Sequence, residues 1–140
     1  SADASQLKIE TMINQWFDYI RVHVSQIGGI TPAMKVARLG EWFNVNTAWH
    51  GPGDVSPVGH AANCHMDLAV WNFGIQESIS FSEKLQSVFS GCPTMEKGYM
   101  SVSEKPGLGV DINETEAAKY PIGTKSNWTV RKRDGTIIRP

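Results

Sequence analysis

The sequence has little cysteine, little net charge and no long apolar run. Its two cysteines, Cys64 and Cys92, lie outside any paired metal-binding spacing, which favours reduced thiols over a disulfide framework. Lysine and arginine total 13 and aspartate and glutamate total 14, so a formal charge of −1 supplies no basic surface for nucleic acid. No run reaches the roughly 18 apolar residues of a membrane span, and residues 1–6 lack the features of a signal peptide. We therefore expect a cytoplasmic protein that binds neither nucleic acid nor membrane.

Helical and extended patterns alternate along the first part of the chain. The 140 residues fit one domain, and 41% of them are hydrophobic, as in a globular protein. Helical patterns cover residues 9–17, a segment that starts at Thr31 and Pro32, and a segment that starts at Ser56 and Pro57. Extended patterns cover residues 19–24, 47–49 and 73–76. Strand starts therefore recur every 26 to 28 residues, the spacing of βα units in a parallel sheet.

Three parallel strands alone would leave both outer edges of the sheet without partners. A complete (β/α)8 barrel takes about 250 residues, more than this chain contains. The sequence therefore predicts an α/β fold: the C-terminal portion of a (β/α)8 barrel, with about three βα units in residues 1–80. Residues 81–140 predict an irregular C-terminal extension that packs on the barrel. Short helices are expected at residues 82–89 and 113–119, and a hairpin around Asp134 and Gly135.

Unusual polar residues stand near the end of each predicted strand, the edge where barrel enzymes carry their chemistry. An arginine, histidines, an aspartate and a glutamate that converge there could bind an anionic polyol, with arginine on a carboxylate. Structural interpretations stay open: an ion pair for Arg21, a core position for His23, a helix cap for Asp54, and packing for the helical His60 and His65. The candidates are Arg21 and His23 on the inward side of the first strand, His50 and Asp54 after the second, and Gln76 and Glu77 at the third.

Three longer runs carry a family resemblance. They extend from Arg21 to Pro32, from Thr47 through Trp-His-Gly-Pro-Gly-Asp to Asn63, and from Asn72 to Glu77. Together with the tail motifs at residues 106–111, 117–121 and 133–140, they resemble the D-mannonate dehydratase family of the enolase superfamily. Residues 88–93 resemble the branch once called starvation-sensing proteins, whose members are often weak or undetectable dehydratases.

The resemblance implies a Mg²⁺-dependent dehydration of D-mannonate, or of D-gluconate, to 2-keto-3-deoxy-D-gluconate. In that reaction the metal holds the substrate carboxylate, a base removes the adjacent proton and an acid helps the 3-hydroxyl leave. Arg21, His50, Asp54 and Glu77 match substrate-contacting positions of the family. The small-molecule partner is therefore expected to be a sugar acid, and the assembly a homo-oligomer.

The same resemblance places the catalytic acid and base and the three carboxylate ligands of Mg²⁺ upstream of this segment, with the N-terminal capping domain and the first strands. We therefore expect neither catalytic nor metal-binding residues in this segment, and no turnover by it alone. The alternatives are a non-catalytic or weakly active regulatory relative that binds a sugar acid, or an inactive fragment.

Overall fold

The computed structural model describes residues 9–121 and 132–136. The helices are α1 (Ile9–Ile13), α2 (Val24–Ile27), α3 (Ile30–Trp42), α4 (Pro57–Ala69), α5 (Glu83–Val88) and α6 (Glu114–Ala117). The strands are β1 (Tyr19–Ile20), β2 (Asn46–Thr47), β3 (Phe89–Ser90), β4 (Met95–Glu96), β5 (Tyr99–Met100) and β6 (Asp111–Ile112).

A small parallel sheet forms the centre of the first 80 residues. β1 pairs with β2 in parallel, with Ile20 opposite Thr47, and residue 73 forms a parallel bridge to Thr47 from the other side. The amide of His50 donates to the carbonyl of Val22 at 3.0 Å, so the pairing continues past the regular strands. The predicted α/β arrangement of three parallel segments with helices between them is confirmed. We call residues 72–77 the third segment.

The elements are shorter than the sequence pattern predicts. The extended run from residue 19 to 24 ends early because α2 begins at Val24 and closes at Gly28, whose φ of 109° admits the left-handed turn. The alternation still buries Ile20, Val22 and Val24. α3 starts at Ile30 instead of Pro32 because Gly29, not Thr31, provides its first carbonyl.

The longest helices cover the sheet and enclose the core. α4 starts at Ser56 and Pro57 as predicted: the Ser56 hydroxyl accepts the amide of Gly59 at 3.3 Å, and Pro57 occupies the first turn. The buried Asn72 donates its side-chain amide to the carbonyls of Ala37 at 3.0 Å and Val45 at 2.7 Å. The core between these elements contains Met12, Ile20, Val22, Val24, Ile27, Ala33, Ala37, Val45, Trp49, Met66 and Val70.

The C-terminal part contains a hairpin that the sequence pattern places in a loop. β4 and β5 pair antiparallel across Lys97 and Gly98, whose φ angles of 51° and 84° fit a two-residue turn with two left-handed positions. α5 and α6 form where short helices are predicted. The strands of the hairpin predicted around Asp134 and Gly135 lie outside the described residues except for Thr136, whose carbonyl accepts the Lys132 amide at 2.9 Å.

Side-chain contacts join this C-terminal part to α4. The ring of Phe81 meets the ring of His60 edge-on at 5.0 Å, and the sulfur atoms of Cys64 and Met100 lie 4.0 Å apart. A domain boundary near residue 80 stays a prediction. Among the described residues, no helix combines the length and apolar character that a membrane crossing requires.

Candidate functional site

Arg21, His50 and Glu77 come together where the three parallel segments end. The Arg21 Nη2 atom lies 3.0 Å from Oε1 and 2.7 Å from Oε2 of Glu77. The Nε2 atom of His50 lies 4.0 Å from the same Oε2. Side-chain exposures of 54% for Arg21, 38% for Glu77 and 28% for His50 leave all three accessible to a ligand. The structure therefore places three of the four predicted site residues in one cluster.

The carboxylate of Glu77 is the centre of this cluster. Its Oε2 also accepts the backbone amide of Gly51 at 3.2 Å, so the loop after β2 is tied to the third segment. A Cβ atom at residue 51 would collide with the carbonyl oxygen of Glu77 and come within 3.0 Å of the His60 ring, so only glycine fits there. Sequence reasoning did not select Gly51. Its position directly after a strand-end histidine is the signal that could have identified it.

Asp54 does not join the cluster. It is exposed on the loop between His50 and α4, and within the described ranges it makes no hydrogen bond to Arg21, His50 or Glu77. Its charge raises the pKa of His50, as the smallest of the effects on that group. The alternative role, capping α4, belongs to Ser56 instead. A direct substrate contact by Asp54 therefore stays a prediction.

The electrostatics of the cluster favour a neutral His50. Burial is the largest effect and lowers the pKa of His50; the positive charge of Arg21 lowers it further, whereas Glu77 opposes the shift. At neutral pH the imidazole therefore offers one N–H donor and one acceptor nitrogen. Arg21 keeps N–H groups beyond the Nη2 atom that Glu77 engages. Together the three side chains can bind a carboxylate and orient neighbouring hydroxyls.

The remaining histidines divide into two kinds. His23 lies beside His50 at the edge of the cluster, with ring centroids 5.4 Å apart. His60 is fully buried; its Nε2 lies 3.4 Å from the carbonyl oxygen of Pro52, and burial lowers its pKa. His65 borders a separate cavity that Cys64 and Cys92 also line. The burial of His60 agrees with its predicted packing role, whereas the packing role of His65 stays a prediction.

The described residues do not form a metal site of their own. Across residues 9–121 and 132–136, no group of three or more His, Cys, Asp or Glu side chains stands close enough to hold an ion. Glu77 is the carboxylate at the centre of the cluster, and it is already engaged by Arg21 and Gly51. The donors in these ranges therefore do not fit a resident magnesium ion.

Comparisons with known proteins cover nearly the whole chain. Residues 8–116 match a family described as enolase C-terminal domain-like. A D-galactonate dehydratase family member from Musicola paradisiaca is 57% identical over 129 residues, which cover 91% of this chain and 31% of that protein. The D-galactonate dehydratase family member RspA from Pantoea ananatis is 54% identical over 129 residues, which again cover 91% of this chain and 31% of that protein. The chain thus spans about a third of the length of these curated relatives.

Solved structures agree with this match. The crystal structure of an enolase from Pantoea ananatis with bound D-gluconate and Mg superposes with a TM-score of 0.82 at 49% identity. The match covers 99% of this chain and 34% of that one. A mandelate racemase/muconate lactonizing enzyme from Jannaschia sp. superposes with a TM-score of 0.76 at 21% identity, over 90% of this chain and 31% of its own, and supports the fold alone.

Proposed function

Because the chain belongs to the enolase C-terminal domain-like family, we propose that it forms the C-terminal part of a magnesium-dependent sugar-acid dehydratase. In this proposal Arg21, His50, Asp54 and Glu77 contact the substrate. The fold predicted from the sequence, the C-terminal portion of a (β/α)8 barrel, is confirmed, since the family match and the structural match both cover most of the chain.

The identity of the sugar acid is a further part of the proposal. The family resemblance favours D-mannonate or D-gluconate, whereas the curated relatives carry the D-galactonate name and one solved relative holds D-gluconate. These acids share a carboxylate and a chain of hydroxyls and differ in the configuration of individual carbons. We propose that the enzyme accepts one or more of these three acids.

The observation that carries the proposal is the cluster of Arg21, His50 and Glu77. Arg21 would bind the substrate carboxylate or an adjacent hydroxyl through its remaining N–H groups, while Glu77 fixes the orientation of its guanidinium. His50, neutral at working pH, would donate to one hydroxyl and accept from another. Asp54 would reach the substrate from the exposed loop. These residues bind and orient; none of them removes the proton in this proposal.

Magnesium enters the proposal through residues outside this chain. When bound, it would stabilise the negative charge that develops as the proton next to the carboxylate is lost. Since the described residues do not form its site, the part of this chain in the reaction is to bind and orient the substrate. Assembly as a homo-oligomer is part of the same proposal.

The test is a dehydration assay of the full-length protein with D-mannonate, D-gluconate and D-galactonate, with Mg²⁺ and with a chelator. Formation of a 2-keto-3-deoxy acid is followed as its semicarbazone. Arg21→Ala and His50→Ala should each lower kcat/KM by about a hundredfold or more. A hundredfold loss corresponds to about 3 kcal/mol of transition-state stabilisation. Lys35→Ala, which removes an exposed cation on α3, is the matched control and should leave kcat/KM unchanged.

The outcomes separate the proposals. Near-normal kinetics in both site variants would refute the site assignment. Binding of a sugar acid without turnover, measured by calorimetry, would favour the alternative of a regulatory relative that binds but does not dehydrate. Neither binding nor turnover with any of the three acids would overturn the proposed function.

A further inference from the structure

Two imidazoles stand side by side at the edge of the cluster. The amide of His50 donates to the carbonyl of Val22 at 3.0 Å, so the parallel pairing sets His50 next to His23. The ring centroids lie 5.4 Å apart, and the ring planes meet at 75°. An edge-to-face contact of this kind restricts how the two rings can turn.

The ring of His23 is itself fixed by its own neighbour. The Oγ atom of Ser25 lies 2.9 Å from Nδ1 of His23, within the first turn of α2. The hydroxyl can donate to a neutral Nδ1 or accept from a protonated one, so the contact persists in either tautomer. His23 therefore presents a constrained ring to His50.

His50 has this ring on one side and charged groups around it. Arg21, Glu77 and Asp54 are the charged groups that act on His50, and His23 is the other titratable one. Both imidazoles also border a cavity of about 200 Å³ with mostly apolar walls, which include Val55, Val58 and Leu108. Without the His23 ring, this space would be larger and His50 could turn into it.

We propose that His23, anchored by Ser25, is a positioning residue that holds the His50 imidazole toward Glu77 for its contact with substrate. The proposal rests on the proposed function, in which His50 contacts the sugar acid. His23 itself touches no reacting atom. Its contribution is the orientation and the local environment of a neighbouring ring.

The experiment compares His23→Ala, His23→Phe and Ser25→Ala in the full-length protein. The first readout is the pKa of His50, followed by NMR of its imidazole protons and assigned by their loss in His50→Gln. His23→Ala should raise this pKa, because it removes like-charge repulsion and exposes the ring to water. His23→Phe keeps a ring against His50 and should raise it less, and Ser25→Ala should also give a smaller rise.

The second readout is the pH profile of kcat/KM with the preferred sugar acid. His23→Ala should lower kcat/KM roughly tenfold, since misplaced contact groups lose rate steeply with distance, and should move the acid limb to higher pH. His23→Phe should recover part of the loss. His65→Ala, in a separate cavity, is the control and should change neither readout.

The two readouts keep this proposal separate from the proposed function. If the wild-type protein turns over no sugar acid, the proposed function fails, and the NMR titration still decides the role of His23. An unchanged His50 pKa in His23→Ala would overturn the positioning role. If His23→Ala does not fold, Ser25→Ala and His23→Phe decide the question instead: no shift of the His50 pKa in either variant refutes the role.

Discussion

Replacing Asp67 by asparagine should stabilise the protein above neutral pH. Asp67 lies on α4, where its Oδ1 atom is buried with no hydrogen-bond partner among the described residues. It borders a cavity of about 340 Å³ whose other walls are largely apolar. Burial raises the pKa of Asp67 from 3.8 to about 7, and the nearby indole N–H of Trp49 opposes this shift without meeting hydrogen-bond geometry. Folding therefore places a carboxylate where its charged form is poorly solvated.

The direction of the pH dependence follows from proton binding. Between about pH 4 and pH 7 the folded chain holds a proton on Asp67 that the unfolded chain has lost, so the free energy of unfolding falls as pH rises through this window. The rise of the Asp67 pKa from 3.8 to about 7 corresponds to a loss of about 4 kcal/mol in the free energy of unfolding at high pH. Because Asp67 is only partly buried, solvent screening reduces this value, and we expect about 2 kcal/mol at pH 8.

The assay is urea unfolding of wild type and Asp67→Asn at a series of pH values. The variant should be more stable by about 2 kcal/mol at pH 8, and the difference should shrink toward zero as the pH falls below about 4, where the unfolded state takes up the proton as well. Asp18→Asn, at an exposed position before β1, is the matched control and should change the free energy of unfolding little. A flat difference for Asp67→Asn, or a variant less stable at pH 8, would refute the reasoning.

Three further changes test the fold. Asn72→Ala removes the donor from two buried carbonyls and should lower the free energy of unfolding by about 2 kcal/mol, measured by urea titration; an unchanged midpoint would contradict the role of this side chain. Ser56→Ala should lower it by about 1 kcal/mol through loss of the α4 cap, and Ser56→Asp should restore it. Gly51→Ala should lower the free energy of unfolding by about 1–3 kcal/mol through overpacking against Glu77, seen as a lower thermal midpoint, whereas Gly53→Ala, which has room, should change it little. Equal effects of the two substitutions would contradict the close approach at Gly51 as the cause.

The sequence predicted those parts of the fold that depend on residues close together in the chain. The alternation around Ile20 and Val22 indicated which side chains are buried, and Ser56 followed by Pro57 marked the start of α4. The same reasoning placed Arg21, His50 and Glu77 at strand ends, and parallel strands bring such ends to one edge. Three of the four selected residues therefore meet in space although 56 positions separate Arg21 from Glu77.

The features that the sequence did not reveal depend on contacts between distant segments. Strand lengths were overestimated because strand pairing depends on neighbours, and alternation alone does not define where pairing stops. The turn at Lys97 and Gly98 lacks the Asn-Gly or Asp-Gly pair that usually signals a hairpin, although its geometry is of that kind. Gly51 is important through a close approach of two backbones, and its position after the strand-end histidine is the one hint of this in the sequence.

Asn72 has a consequence for the choice between alternative pairings of the sheet. In the described part of the chain a single bridge, between Thr47 and Phe73, pairs the third segment with β2, so the ladder itself discriminates weakly against a shifted alignment. A slip by one residue would move every side chain of the segment to the opposite face. It would also break at once the two side-chain bonds of Asn72 and the bond from the Thr47 amide to the Asn72 carbonyl, 2.7 Å long. One amide side chain thus penalises the misaligned states that a short ladder would otherwise tolerate.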